Sequence, residues 1–143
     1  MSGGGGKLDV MALRRSLLMM QKTQPLNLFD KDTMFSELTP GYLKNDGSIA
    51  LHRSWYISDY IPVNGTSFVL KNVGGGSPSI VLYDANKQFL SGKNYGTSGA
   101  TEKTDVYITS TSTAYFCRFS AYSSNGSLTK LNEYIEDIVL QYT

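Results

Sequence analysis

The chain is poor in the residues that do most protein chemistry: its 143 residues include one cysteine, Cys117, and one histidine, His52. A lone cysteine forms no internal disulfide, and one cysteine with one histidine falls short of the ligand set of a structural zinc site. Any Ser-His-Asp or Cys-His catalytic arrangement must be built around His52. Charge of one sign is also missing. The 13 Lys+Arg against 12 Asp+Glu leave a formal net charge of +1, which gives no general electrostatic grip on nucleic acid or an anionic membrane. The apolar run Leu17-Leu18-Met19-Met20 is far shorter than the ~20 residues of a bilayer span. A secretory signal needs a cationic start followed directly by ~7–15 apolar residues. Here Met1-Ser2-Gly3-Gly4-Gly5-Gly6 opens the chain, and Arg14-Arg15 interrupt the apolar residues beyond it. The expectation is a soluble chain made in a cytoplasm, with no nucleic-acid partner, membrane insertion, metal or cofactor.

What is present divides in two. Residues 1–6 read as a Gly-rich tether and residues 7–22 as a helix of good helix formers, with Pro25 beyond as a stop. Val10, Leu13, Leu17 and Met20 recur at spacings of three, four and three, an a/d seam, and Met11 and Leu18 widen it by a second row. Such a helix is only ~24 Å long and marginal alone in water. It needs a surface to pack on: its own domain, or a second molecule, the reading preferred here. Residues 1–24 are therefore expected to be an anchoring and oligomerisation segment, with Val10, Leu13, Leu17, Leu18 and Met20 as its contacts, and residues 25–143 a separate β-domain.

That second part is a succession of short apolar segments separated by Gly, Asn, Asp, Ser and Pro. Residues 49–57 alternate as one strand, with Leu51, Trp55 and Ile57 on one face and His52 on the other. Strands follow at 59–63, 66–70, 79–83, 88–90, 105–109, 114–120 and 138–142. Asn64-Gly65 and Asp84-Ala85-Asn86-Lys87 mark turns, 91–104 reads as an exposed polar loop, and 128–136 as a short helical turn. No amphipathic helix alternates with the strands, so the fold class expected is all-β: an antiparallel, jelly-roll-like β-sandwich preceded by one short N-terminal helix.

Reactive constellations fail on inventory. His52 sits mid-strand, and alternation puts Cys117 on the face of Tyr115 and Phe119 as a small buried apolar residue. Gly92-Lys93-Asn94 lacks the glycine spacing and the hydroxyl of a phosphate loop, and Gly74-Gly75-Gly76 precedes a strand rather than a helix. Asp84-Ala85-Asn86 imitates the opening of a calcium loop but has Phe89 where the loop needs glycine, and the pair Asp30 and Asp32 is equally weak. The triplets Asn64-Gly65-Thr66 and Asn125-Gly126-Ser127 read as turns rather than glycosylation sites. A glycosidase-type carboxylate pair would come from Asp59, Asp84, Glu133 and Glu136, and no spacing favours two of them. The chain is expected not to be an enzyme. Near-loop aromatics remain, and Tyr42, Tyr95 and Tyr122 are the candidate platforms for sugar rings; Trp55 is read as core.

One resemblance covers residues 27–143. Its stretches are Asn27-Leu28-Phe29-Asp30 with Gly41-Tyr42, Ser58-Asp59-Tyr60-Ile61-Pro62-Val63 before Asn64-Gly65-Thr66, the hairpin Ile80 to Gly92, and Ala114-Tyr115-Phe116-Cys117-Arg118-Phe119-Ser120. In this order they resemble a β-sandwich module of bacteriophage virion appendages, the tail fibres, receptor-binding proteins and head fibres, itself similar to carbohydrate-binding modules. Thr111-Ser112-Thr113 stands where that pattern has a proline. The short anchor and single sandwich look like a small fibre or decoration subunit, of the head-fibre kind found in crAss-like phages. The resemblance implies a virion protein made in the host bacterial cytoplasm and a homo-oligomer, usually a trimer. It further implies attachment to the capsid or another fibre protein through residues 1–24, and a displayed face that binds host-surface polysaccharide. It carries no catalytic signature. The alternative is a stand-alone carbohydrate-binding module or adhesin domain without a particle.

Overall fold

A computed structural model describes residues 28–74, 78–96 and 102–143. They form strands β1 (Thr39–Pro40), β2 (Tyr42–Leu43), β3 (Ile49–Ala50), β4 (Trp55–Ile57), β5 (Ile61–Pro62) and β6 (Phe68–Val73). These are followed by β7 (Ser79–Tyr83), β8 (Phe89–Asn94), β9 (Thr104–Ile108), β10 (Phe116–Arg118), β11 (Ser120–Tyr122) and β12 (Val139–Tyr142). A single-turn helix α1 (Lys31–Met34) precedes β1, and α2 (Leu128–Ile135) lies between β11 and β12. The strands assemble into a four-stranded sheet β5-β10-β7-β8, two three-stranded sheets, β12-β6-β9 and β1-β4-β11, and the ladder β2-β3. Every pairing is antiparallel. The fold is all-β and sandwich-like, as the alternation implies. Among the described residues the one helix longer than a turn is α2, on the C-terminal side. The helix expected over 7–22, with Val10, Leu13, Leu17, Leu18 and Met20, lies outside the described residues.

The core has two parts, one on each face of the four-stranded sheet. Ile61, Ile80, Leu82 and Cys117 turn to the larger part, against Phe68, Leu70, Val106, Ile108, Phe119 and Leu140. Val81 and Tyr83 turn the other way and meet Leu43 of β2 and Ile57 of β4. That is why every residue of β7 is buried: a central strand covered on both faces reads as a continuous apolar run. Helix α2 starts at Ser127, whose hydroxyl accepts the Lys130 N–H, and closes the larger part with Leu131, Tyr134 and Ile135.

Three sequence expectations need correction. The continuous strand over 49–57 is two strands in different sheets, parted by a turn in which the Ser54 N–H donates to His52 Nδ1 (3.0 Å). Leu51 is consequently 87% exposed while Trp55 is 6% exposed; alternation survives an even-numbered interruption, so period alone does not reveal it. The strand over 114–120 changes sheet at Phe119, and Tyr115, assigned to the Cys117 face, precedes the strand and is 46% exposed. The polar stretch after 91 begins as strand, with Ser91–Asn94 completing β8 against β7.

The turn readings hold. Asn64 and Gly65 have φ of 51° and 72°, and the Thr66 N–H donates to Val63 O (3.0 Å), a type I′ geometry. A Cβ at Gly65 would lie 2.9 Å from Ser112 O, so only glycine fits that close approach. The turn carries the chain from β5 in one sheet to β6 in another rather than closing a hairpin. At Asp84–Lys87 the Asp84 Oδ1 accepts the N–H groups of Asn86 (2.8 Å) and Gln88 (2.9 Å), which commits that oxygen to the hairpin.

Candidate functional site

The candidate tyrosines have three different fates. Tyr42 follows Gly41, whose N–H donates to Trp55 O (2.8 Å), and strand alternation sends Leu43 inward while leaving Tyr42 half-buried. Its ring centre lies 6.2 Å from that of Trp55 and 6.3 Å from that of His52. Tyr122, on β11, packs edge-on against Trp55 at 5.4 Å, and Tyr134 of α2 stands 6.5 Å from both. Trp55 thus joins Tyr42 and Tyr122 into one aromatic group, the edge-to-face arrangement such rings prefer.

Tyr95 belongs elsewhere, and the platform reading is corrected for it. It is 4% exposed, and its hydroxyl donates to Ser120 O (2.7 Å) while accepting the Ser120 N–H (2.8 Å). β11 is the last strand of its sheet, and a strand residue presents its N–H and C=O on the same side. One hydroxyl, being donor and acceptor at once, satisfies both. Tyr134 does the same for Gly74, accepting its N–H (2.8 Å) and donating to its O (2.7 Å). Burial pushes both phenols above their ordinary pKa, Tyr134 to about 12.

Beside Tyr42 lies an open concavity of about 510 Å³ lined by Tyr42, Lys44, Asn45, Asp46 and Asn94. Its wall is the β2–β3 turn, closed by Lys44 N–H to Ser48 O (2.9 Å) and Gly47 N–H to Lys44 O (3.0 Å). The Ser48 hydroxyl and N–H both donate to Asp46 Oδ1 (2.6 and 2.9 Å), and the hydroxyl bond above all holds that carboxyl below its ordinary pKa. The turn is seated on β7 and β8: Asn45 Oδ1 accepts the hydroxyl of Ser79 on β7 (2.5 Å), and a Cβ at Gly92 of β8 would collide with Asn45 O. The groove therefore offers an aromatic ring, an ionised carboxylate, an ammonium and two amides on a braced surface. This mixture suits a sugar, with C–H groups against the ring and hydroxyls on the carboxylate and amides. Sequence reading missed Lys44, Asn45, Asp46 and Asn94; the signal was Asp46-Gly47 between two apolar pairs, a hairpin mark directly after Tyr42. A narrower cleft of about 290 Å³ between β8 and β9, lined in part by Leu82, Lys93 and Tyr107, is bridged by Lys93 Nζ donating to Tyr107 O (2.8 Å).

Several of the remaining reactive groups are engaged within the fold. Burial pushes the Cys117 thiol far above its ordinary pKa. Asp59 accepts from Ser36 and Glu37, Asp84 caps its turn, and Glu133 pairs with Lys130 at 3.2 Å. Among the described residues no three His, Cys, Asp or Glu side chains gather as a metal site, and no helix is long and apolar enough to cross a membrane. Comparison with protein-family models, with curated proteins and with solved structures gives no match, so the fold and the groove stand on their own geometry.

Proposed function

We propose that this chain is a small structural binding subunit of a bacteriophage particle. Residues 1–24 dock it to the capsid or to another fibre protein and help assemble a homotrimer. The β-sandwich faces outward and holds host-surface polysaccharide at the Tyr42 groove. The observation that carries the binding reading is the placement of a half-buried aromatic ring beside Asp46, Asn45 and Lys44 on a braced turn. The virion reading is supported by the ordered motifs in residues 27–143. A shallow groove of this kind binds weakly, and many copies on one particle raise the net attachment.

Two measurements test it. Mass spectrometry of purified particles detects the chain among the virion proteins; its absence from particles sinks the structural role and leaves the free carbohydrate-binding module. Retention of the full chain on an array of bacterial surface polysaccharides falls on Tyr42→Ala; equal retention of the variant removes the groove.

A further inference from the structure

A second cluster on the opposite side of β10 is not used by that groove. Cys117 points to the larger core, so Phe116 and Arg118 project from the other face, beside Tyr83 and Val81 of β7. Tyr60, one residue before β5, lies over them with its ring centre 4.9 Å from Tyr83 and 6.1 Å from Phe116. Two cations share that ring. Arg118 Cζ is 4.5 Å from its centre, oriented by Nε donating to Ser58 O (2.9 Å), and Lys87 Nζ is 4.9 Å from it and 5.8 Å from Phe116. The φ of 61° at Lys87 belongs to the β7–β8 turn, whose hydrogen bonds through Asp84 hold the lysine at this edge.

Among the described residues neither cation has a carboxylate at ion-pair distance, and the one ion pair is Lys130–Glu133. The acidic side chains nearest in sequence are engaged, Asp84 by Asn86 and Gln88, Asp59 by Ser36 and Glu37. Two like charges, each within 5 Å of one ring centre, repel each other. An anion held by both would relieve that repulsion. The Arg118 guanidinium spends Nε on Ser58 O and also hydrogen-bonds the Tyr83 hydroxyl; its remaining N–H groups offer charge-assisted donors to a carboxylate, and the Lys87 ammonium adds a point charge. The exposed Tyr115 ring, 5.7 Å from Phe116, supplies an apolar surface alongside.

We infer that Lys87, Arg118 and the Tyr60–Phe116 rings form a second binding site, selective for the carboxylate of an acidic sugar such as a uronate. The site is independent of the Tyr42 groove and stands or falls separately from it.

The test is titration of the full chain with oligogalacturonate, with the same oligomer methyl-esterified, and with inorganic phosphate. The acid is expected to bind about tenfold more tightly than the ester, the worth of one charge-assisted contact, and its binding weakens with added salt. Lys87→Gln should lower affinity about tenfold, and Lys87→Glu, which reverses the charge beside the Tyr60 ring, should abolish binding without lowering the melting temperature. Tyr42→Ala should leave uronate binding unchanged. Absence of uronate binding, equal binding of acid and ester, or an unchanged Lys87→Gln overturns the site; phosphate binding as tightly as the uronate overturns the assignment to a carboxylated sugar.

Discussion

Removing a single oxygen, in Tyr95→Phe, should destabilise the fold heavily while leaving no cavity of consequence. The ring stays, so its packing among the core residues is kept. What goes is the atom that pairs both the N–H and the C=O of Ser120, a residue with no exposed surface. A buried backbone group stripped of its partner costs about 1–3 kcal/mol, so the two together cost about 2–6 kcal/mol. Against a typical total of about 5–15 kcal/mol, that is a large share of the stability. Urea denaturation followed by fluorescence reads it as a lower midpoint at unchanged m-value. Tyr107→Phe, at a 60% exposed position, is the control and should move the midpoint within about 0.5 kcal/mol. A Tyr95→Phe loss below about 0.5 kcal/mol would refute the assignment of Tyr95 to edge closure. Folded Tyr95→Phe should keep the polysaccharide retention of the parent chain, which separates its role from that of Tyr42.

The buried phenols make stability fall in alkali. Unfolded tyrosines lose protons near pH 10, whereas Tyr134 in the fold holds its proton to about 12 and Tyr95 and Tyr83 are shifted the same way. Below pH 10 the contribution is intact; between about 10 and 12 the unfolded chain binds fewer protons, so stability declines, by about 2–3 kcal/mol for Tyr134 alone. Absorbance near 295 nm should show these phenols ionising only with unfolding, and all ten titrating together near pH 10 in a folded chain would count against it. At the seam expected from Val10, Leu13, Leu17 and Met20, Leu17→Asp should lower the mass seen by light scattering with the β-domain's circular dichroism preserved. An unchanged mass removes the seam.

Sequence alone determined what rests on neighbouring residues. The apolar run Ser79–Tyr83 and the hairpin turn after it follow from local composition, and Asn64-Gly65 needs no partner to favour positive φ. The all-β class follows from the same short-range periods. Tertiary structure alone decided which strand joins which sheet, because a turn inside 49–57 and a change of sheet at Phe119 leave the alternation on either side intact. It also separated three tyrosines of the same chemistry. Tyr95 was drawn into the core by an unpaired strand edge, Tyr122 was packed against Trp55, and Tyr42 was left at a groove whose other walls come from a turn and from β8. Lys87 and Arg118 meet on one ring for the same reason: the β7–β10 pairing brings them together, and no local pattern encodes which distant backbone a strand finds.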